Sequence, residues 1–249
     1  MNLVAGQREE GNALAFLLLE RFKALFSGVK YLHRDSSLGD SVAEYLTEDL
    51  FVLKKSSKFN DRIALAERVQ NTQNRRVGVD ARRGDGTFGE LVAGAKAIKV
   101  DGFHVARGPI ATVEIGVEVK ILCKAMNRQI DRVMRSMEDQ IKQFRAGGGR
   151  PISIGIVGVN HAARCTTYEG DVAWPTTGKG RHKHPIQEAA VTETKIRNRV
   201  GPQYDEVLFV RFRAENVPPY DFEWVNQADT ELEYGAILTR TIRRYEQNF

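Results

Sequence analysis

Between Thr112 and Ile121 the chain reads Thr-Val-Glu-Ile-Gly-Val-Glu-Val-Lys-Ile. Polar and apolar residues alternate with period two. Val113, Ile115, Val117, Val119 and Ile121 share one face of a strand, and Thr112, Glu114, Gly116, Glu118 and Lys120 share the other. Two positions on one strand face lie ~7 Å apart, so the long side chains of Glu118 and Lys120 can converge on one small object, such as a metal-bound phosphate. An incidental charge pair on a solvated face gives the same pattern. Glu114 lies on that face too, but ~13 Å from Glu118, which suits a structural or outer role rather than shared ligation.

The elements that must position this strand follow from hydrophobic period. Residues 11–27 pattern as an amphipathic helix through Leu14, Phe16, Leu17, Leu18 and Phe22. A second helix spans 38–51, with Val42, Tyr45, Leu46 and Leu50 on one side. A third spans 61–73, capped by Asn60 or Asp61. Strands are expected at 76–82, ending at Gly84-Asp-Gly86, and at 97–105, followed by turn residues Arg107-Gly-Pro109. After the Glu118 strand comes a helix over 124–145, then an almost wholly apolar strand at 151–159 that reads as central and buried. Residues 160–185 read as loop, 186–200 as helix, 205–214 as strand and 232–245 as a terminal helix. This is an α/β layer plan around a mixed sheet flanked by helices.

If the 97–105 and 112–121 strands form an antiparallel hairpin, pairing Asp101 near Glu118 centres the turn between Pro109 and Ile110, where the turn residues stand. Asp101, Glu118 and Lys120 then share one polar patch. Two carboxylates offer hard oxygen ligands to Mg²⁺. A metal there polarises a phosphoryl oxygen and lowers the pKa of a bound water. The Lys120 ammonium can orient that water or stabilise charge developing on phosphorus. Asp80 is the rival first aspartate; pairing it with Glu118 centres the turn near Lys99, inside an apparent strand.

Asp101 followed by Val117-Glu-Val-Lys120 resembles the motif of the PD-(D/E)XK nucleases, the restriction-endonuclease-like superfamily. Val100 stands where a Pro often precedes the aspartate. The helix–three strands–helix–strand order over about 38–160 matches the common core of that superfamily, roughly half of the chain. The resemblance implies one nuclease domain over 1–249. Its parts would be a helical N-terminal segment (about 1–74), a catalytic core (about 38–160) and a C-terminal α/β extension (about 161–249). It also implies that Asp101, Glu118 and the main-chain carbonyl of Val119 hold Mg²⁺, with Mn²⁺ as a substitute, and that Lys120 assists the attacking water. The implied activity is DNA endonuclease, in a restriction enzyme or a prokaryotic anti-phage effector. The implied assembly is a homodimer or larger, because two strands are cut. Glu44, on the preceding helix, and Gln129 or Gln140, on the following one, stand where such enzymes carry additional polar residues, although exposed helix positions explain all three.

Composition agrees with a cytoplasmic protein that meets a polyanion. The 249 residues are 42% hydrophobic and 28% charged, with net charge +5. Basic residues gather at expected loops: Arg82 and Arg83, Arg145 and Arg150 about a triple glycine, and Lys179, Arg181 and Lys183. Such Gly-rich basic loops can approach a phosphate backbone, double-stranded DNA above all. No apolar run reaches membrane-spanning length, and residues 13–19 have no basic stretch ahead of them to make a leader peptide. Cys123 and Cys165 are too few for a disulfide framework and lack a His–Asn partner pattern for thiol catalysis. His182 and His184 flank Lys183 at a spacing that suits a phosphate contact better than a metal site, and His161 reads as a packing residue. There is no phosphate loop and no dinucleotide fingerprint. The alternative function is a non-catalytic nucleic-acid-binding or assembly protein on the same fold, with the acid–lysine trio structural.

Overall fold

The computed structural model describes residues 15–33, 35, 37–71 and 85–249. In chain order its elements are α1 (Leu17–Ala24), α2 (Ser37–Val52), α3 (Ser57–Ala64), β1 (Arg68–Asn71), β2 (Gly86–Glu90), β3 (Arg107–Gly108), β4 (Ile115–Leu122), α4 (Met126–Arg145), β5 (Ile152–Asn160), β6 (Thr166–Glu169), β7 (Val172–Pro175), α5 (Ile186–Arg199), β8 (Glu206–Ala214), β9 (Phe222–Trp224) and α6 (Gln227–Asn248). Seven strands form one mixed sheet in the order β3-β1-β2-β4-β5-β8-β9, and β6 and β7 form a separate hairpin. β4, β5 and β8 run parallel at the centre; β2 and β9 are antiparallel to their inner neighbours.

Helices cover both faces, giving the α/β layering that the sequence implies. The odd residues of β4 (Ile115, Val117, Val119) join Ile152, Ile154 and Ile156 of β5 in a core shared with α1, α2, α3 and α6. On the other face Leu122, Val157, Val159 and Phe209 pack against α4 and α5 through Ile130, Met134, Met137 and Ile196. Every residue of β5 is buried, as its near-continuous apolar run requires.

Four expectations change. The third helix ends at Ala64, and Arg68–Asn71 of its expected span is strand β1. Its N-terminus is capped by Ser56, whose hydroxyl accepts the Phe59 N–H at 2.9 Å, not by Asn60 or Asp61. Residues 97–105 do not pair with β4. Their backbone donors go elsewhere: the N–H groups of His104 and Val105 both donate to the Glu48 carboxylate of α2, at 2.9 Å each. Ile98 and Arg107 close this segment with a reciprocal pair of 2.7 Å hydrogen bonds, and Ile98 is left 56% exposed.

The antiparallel partner of β4 is instead β2, Gly-Thr-Phe-Gly-Glu, which low β-propensity conceals. Its glycines are there for close approach. A Cβ on Gly89 would sit 1.8 Å from the Thr112 carbonyl oxygen, and one on Gly86 would sit 2.8 Å from Ala43 Cβ of α2. Residues 160–185 carry the β6–β7 hairpin rather than loop alone. The expected strand 76–82, with Asp80, Arg82 and Arg83, lies outside the described residues.

Gly89→Ala should therefore lower unfolding free energy by ~3 kcal/mol or more, because the obstacle is backbone and cannot rotate away. Denaturant unfolding of this variant beside Gly170→Ala, which meets open space but a positive φ of 59°, measures it. A smaller loss at Gly89 than at Gly170 would contradict the β2 register.

Candidate active site

β4 places Glu118 and Lys120 on the face turned toward α4. Gly116, on that face, has no room for a side chain, since a Cβ would meet the Phe144 ring of α4 at 2.6 Å. Glu118 comes next. Its parallel neighbour is Gly155 of β5, beyond which stand Met137 and Tyr204. The Glu118 residue is only 3% exposed. Lys120 folds back so that its ammonium contacts Glu118 Oε1 and lies 3.9 Å from Asp85 Oδ2.

Asp85 completes the group. It immediately precedes β2, and because Gly86 opposes Val117, one further step of the antiparallel register sets Asp85 opposite Glu118. Its Oδ2 accepts the Val119 N–H at 2.7 Å, so a side chain continues the ladder where β2 begins. Above it lies the first turn of α2: a Cβ on Gly39 would stand 3.1 Å from Asp85 Cγ. A helix N-terminus favours a nearby anion, and a glycine there lets the carboxylate approach. Asp40 of the same turn adds its field to Lys120.

Among the described residues, the Lys120 ammonium answers to Glu118, Asp85 and Asp40. Burial pushes the Glu118 carboxyl up to about 7, and Asp85 pushes it further against the opposing pull of Lys120. Burial lowers the Lys120 ammonium, but Glu118, Asp85 and Asp40 together raise it above its ordinary value. Burial also raises the Tyr204 phenol, as do Glu118 and Asp85. Tyr204 donates to the Met137 carbonyl at 3.0 Å, which fixes the ring at the floor of the site.

Asp101 does not join this group. It is exposed, in a tight turn whose Gly102 has φ of 84°, and it makes no hydrogen bond or ion pair with Glu118 or Lys120. The hairpin register that pairs it with Glu118 is replaced by the β2–β4 register, and Asp85 stands in the place expected of it. Glu114 is structural: Arg68 Nε donates to it at 2.6 Å and Tyr245 OH at 2.7 Å. Glu44 lies 3.8 Å from Arg107. Gln129 donates to the Lys124 carbonyl, and Gln140 is buried on α4. His161 pairs with Glu193 at 3.0 Å, and His184 with Thr176 at 2.8 Å. Both cysteines are free and buried.

Of the group, Lys120 faces a cleft of about 680 Å³ whose other lining includes Arg128, Asp131, Arg132, Arg135 and Asp139 of α4. A second cleft, of about 1220 Å³, shares Arg128 and Arg132 and continues past Lys124 and Trp174 to Arg181, His182 and Lys183. Arg181 and Lys183 thus fall on a cleft wall. Arg150 and Lys179 are exposed and line neither cleft. Sequence reading missed Asp85, Arg128 and Arg132. The signal for Asp85 was its place between two glycines, read there as a strand end. Arg128 and Arg132 stand four residues apart, one helical turn, on the helix after the motif.

Among the described residues no group of three or more His, Cys, Asp and Glu side chains could hold a metal ion by itself. Asp85 and Glu118 offer two hard carboxylates of the kind a divalent cation takes. No helix is long and apolar enough to cross a membrane among the described residues. Comparison with known proteins yields no match: no family model, no curated protein and no solved structure matches the chain.

The raised Glu118 carboxyl links pH to stability. The folded state keeps this proton up to about pH 7, whereas the unfolded chain releases it near 4.5. Between those values the folded state binds more protons, so this group's contribution to stability falls as pH rises. Glu118→Gln removes that dependence. Its Tm relative to the parent protein should rise from pH 4.5 to 7 and level off above, and a constant offset across that window would refute the assignment.

Proposed function

We propose that this protein is a Mg²⁺-dependent nuclease of the restriction-endonuclease-like type that hydrolyses DNA phosphodiester bonds, with Asp85, Glu118 and Lys120 as its active residues. The observation that carries the reading is the meeting of Asp85 and Glu118, on adjacent antiparallel strands, with Lys120 at the mouth of a cleft lined by Arg128 and Arg132. With α3 and the two-residue β3 set aside, the succession α2, β1, β2, β4, α4, β5 supports it, since it follows the helix–three strands–helix–strand order of that superfamily. Asp85 takes the role that the sequence had given to Asp101.

Asp85, Glu118 and the main-chain carbonyl of Val119 would hold the metal, which supplies charge neutralisation at the phosphoryl oxygens and a more acidic water. The protein's own groups do the rest. Lys120 presents an ammonium kept protonated by three carboxylates, placed to stabilise charge that develops on the phosphate. Glu118, its carboxyl raised by burial, must give up its proton for the site to load, so Mg²⁺ binding strengthens as pH rises. Arg128 and Arg132 hold flanking phosphates and fix the strand's path. Such an enzyme acts in the cytoplasm, as a homodimer or larger assembly, in restriction or in anti-phage defence.

One observation favours the non-catalytic reading: Lys120 already satisfies Glu118, and Asp85 already serves the Val119 N–H. Plasmid cleavage in Mg²⁺ or EDTA separates the two. Asp85→Asn, Glu118→Gln and Lys120→Ala should each lower the Mg²⁺-dependent rate by about 100-fold or more, while Asp101→Asn should cleave at the parent rate. Cleavage retained by Asp85→Asn and lost in Asp101→Asn would overturn the assignment. No cleavage by the parent protein would favour the scaffold.

A further inference from the structure

The cleft beyond Lys120 carries a feature that a phosphate-binding surface does not need. Trp174 lies on β7 and is 53% exposed, while the other tryptophan, Trp224, packs against Phe222 and Phe22. Trp174 is not on a loose loop. Its cross-strand partner is Thr167, and Lys124 binds both strands of the hairpin at this point, donating to Thr167 Oγ1 and, at 3.3 Å, to the Trp174 carbonyl. Lys124 stands just before α4, whose first N–H groups are anchored in turn, Met126 N donating to the buried Glu188 carboxylate at 3.0 Å. The hairpin and the helix therefore form one fixed frame around the indole.

Charge surrounds this ring. The cleft it lines has five cationic side chains, Lys124, Arg128, Arg132, Arg181 and Lys183, against one carboxylate, Glu169. Arg128 and Arg132 form no ion pair with a described residue, and they also line the cleft that holds Lys120. One wall thus leads from the indole to the ammonium of the candidate active site.

We propose that the cleft between α4 and the β6–β7 hairpin binds single-stranded DNA, with Trp174 stacking on an unpaired base and Arg128, Arg132, Arg181 and Lys183 holding the phosphates. The inference rests on the nuclease reading for what happens to the strand at Lys120, but not for the binding. An indole can stack only on a base whose face is free, which a continuous duplex does not offer. A cationic groove with an aromatic platform is the arrangement that binds single strands with little sequence preference. The strand delivered to Lys120 is accordingly a frayed end, an overhang or a single-stranded region.

The test uses the full chain carrying Lys120→Ala, in EDTA, with a labelled 12-nucleotide single strand of mixed sequence and the blunt duplex of the same sequence. The single strand should bind more tightly and quench tryptophan emission. Trp174→Ala should weaken single-strand binding by roughly 5- to 150-fold, the loss of one stacked base, and should abolish the quench. Duplex binding should change less than about twofold, and Trp174→Phe should restore most of the affinity. Equal losses on both probes, no loss on either, or a parent protein that binds neither would each overturn the proposal. Plasmid cleavage by the parent protein reports on the nuclease reading separately. If cleavage is intact and Trp174→Ala is silent, only the groove is wrong. If binding depends on Trp174 and nothing is cut, only the nuclease reading is wrong.

Discussion

A carboxylate and an ammonium two residues apart on an interior strand constrain everything around them. Burying either charge alone is costly, and a contact between them offsets that cost only where the remaining polar atoms are also met. β4 meets this demand with its neighbours rather than with water. Gly155 leaves room beside Glu118, Asp85 brings a second carboxylate to Lys120 while serving the Val119 N–H, and Gly39 lets the N-terminus of α2 close over it. The result is a folded chain that gathers two carboxylates and an ammonium where β2 begins beside β4. Burial first, and Asp85 after it, raise the Glu118 carboxyl.

The same device recurs through the molecule. Helix ends and loops are satisfied by buried or half-buried carboxylates reaching from other elements. Asp49 of α2 accepts the Leu17 and Leu18 N–H groups at the start of α1 and the hydroxyl of Tyr234 in α6. Burial nonetheless pushes its carboxyl up to about 6. Glu48, next to it, holds the His104–Val105 backbone, and Glu188 of α5 caps α4. Asp205 binds the backbone and hydroxyl of Ser153 at the start of β5. These contacts join elements far apart in sequence, so they fix tertiary position and satisfy terminal donors at once.

This explains what could be read beforehand. The period-two pattern of β4, the apolar run of β5 and the stripe of α4 were legible because each follows from one element's own burial. The acid–lysine pair was legible because it lies on one strand face. Asp85 was not, because its role depends on β2, where Gly86 and Gly89 answer to Ala43 and to the Thr112 carbonyl rather than to strand propensity. Asp101 looked better placed because the 97–105 segment alternates and ends in turn residues, but Glu48 takes its backbone donors. The cap expected at Asn60 or Asp61 failed because α3 begins earlier, behind Ser56. The carboxylates that meet the first N–H groups of α1 and α4 come from 31 or more residues away.

The central claim is that Asp85, not Asp101, joins Glu118 in a cation site. Mg²⁺ titration followed by thermal unfolding at pH 8, where Glu118 is ionised, tests it without reference to any substrate. The parent protein and Asp101→Asn should show the same saturable rise in Tm, and Asp85→Asn should show none. A parent protein indifferent to Mg²⁺, or an Asp85→Asn variant that responds like the parent, would contradict the account.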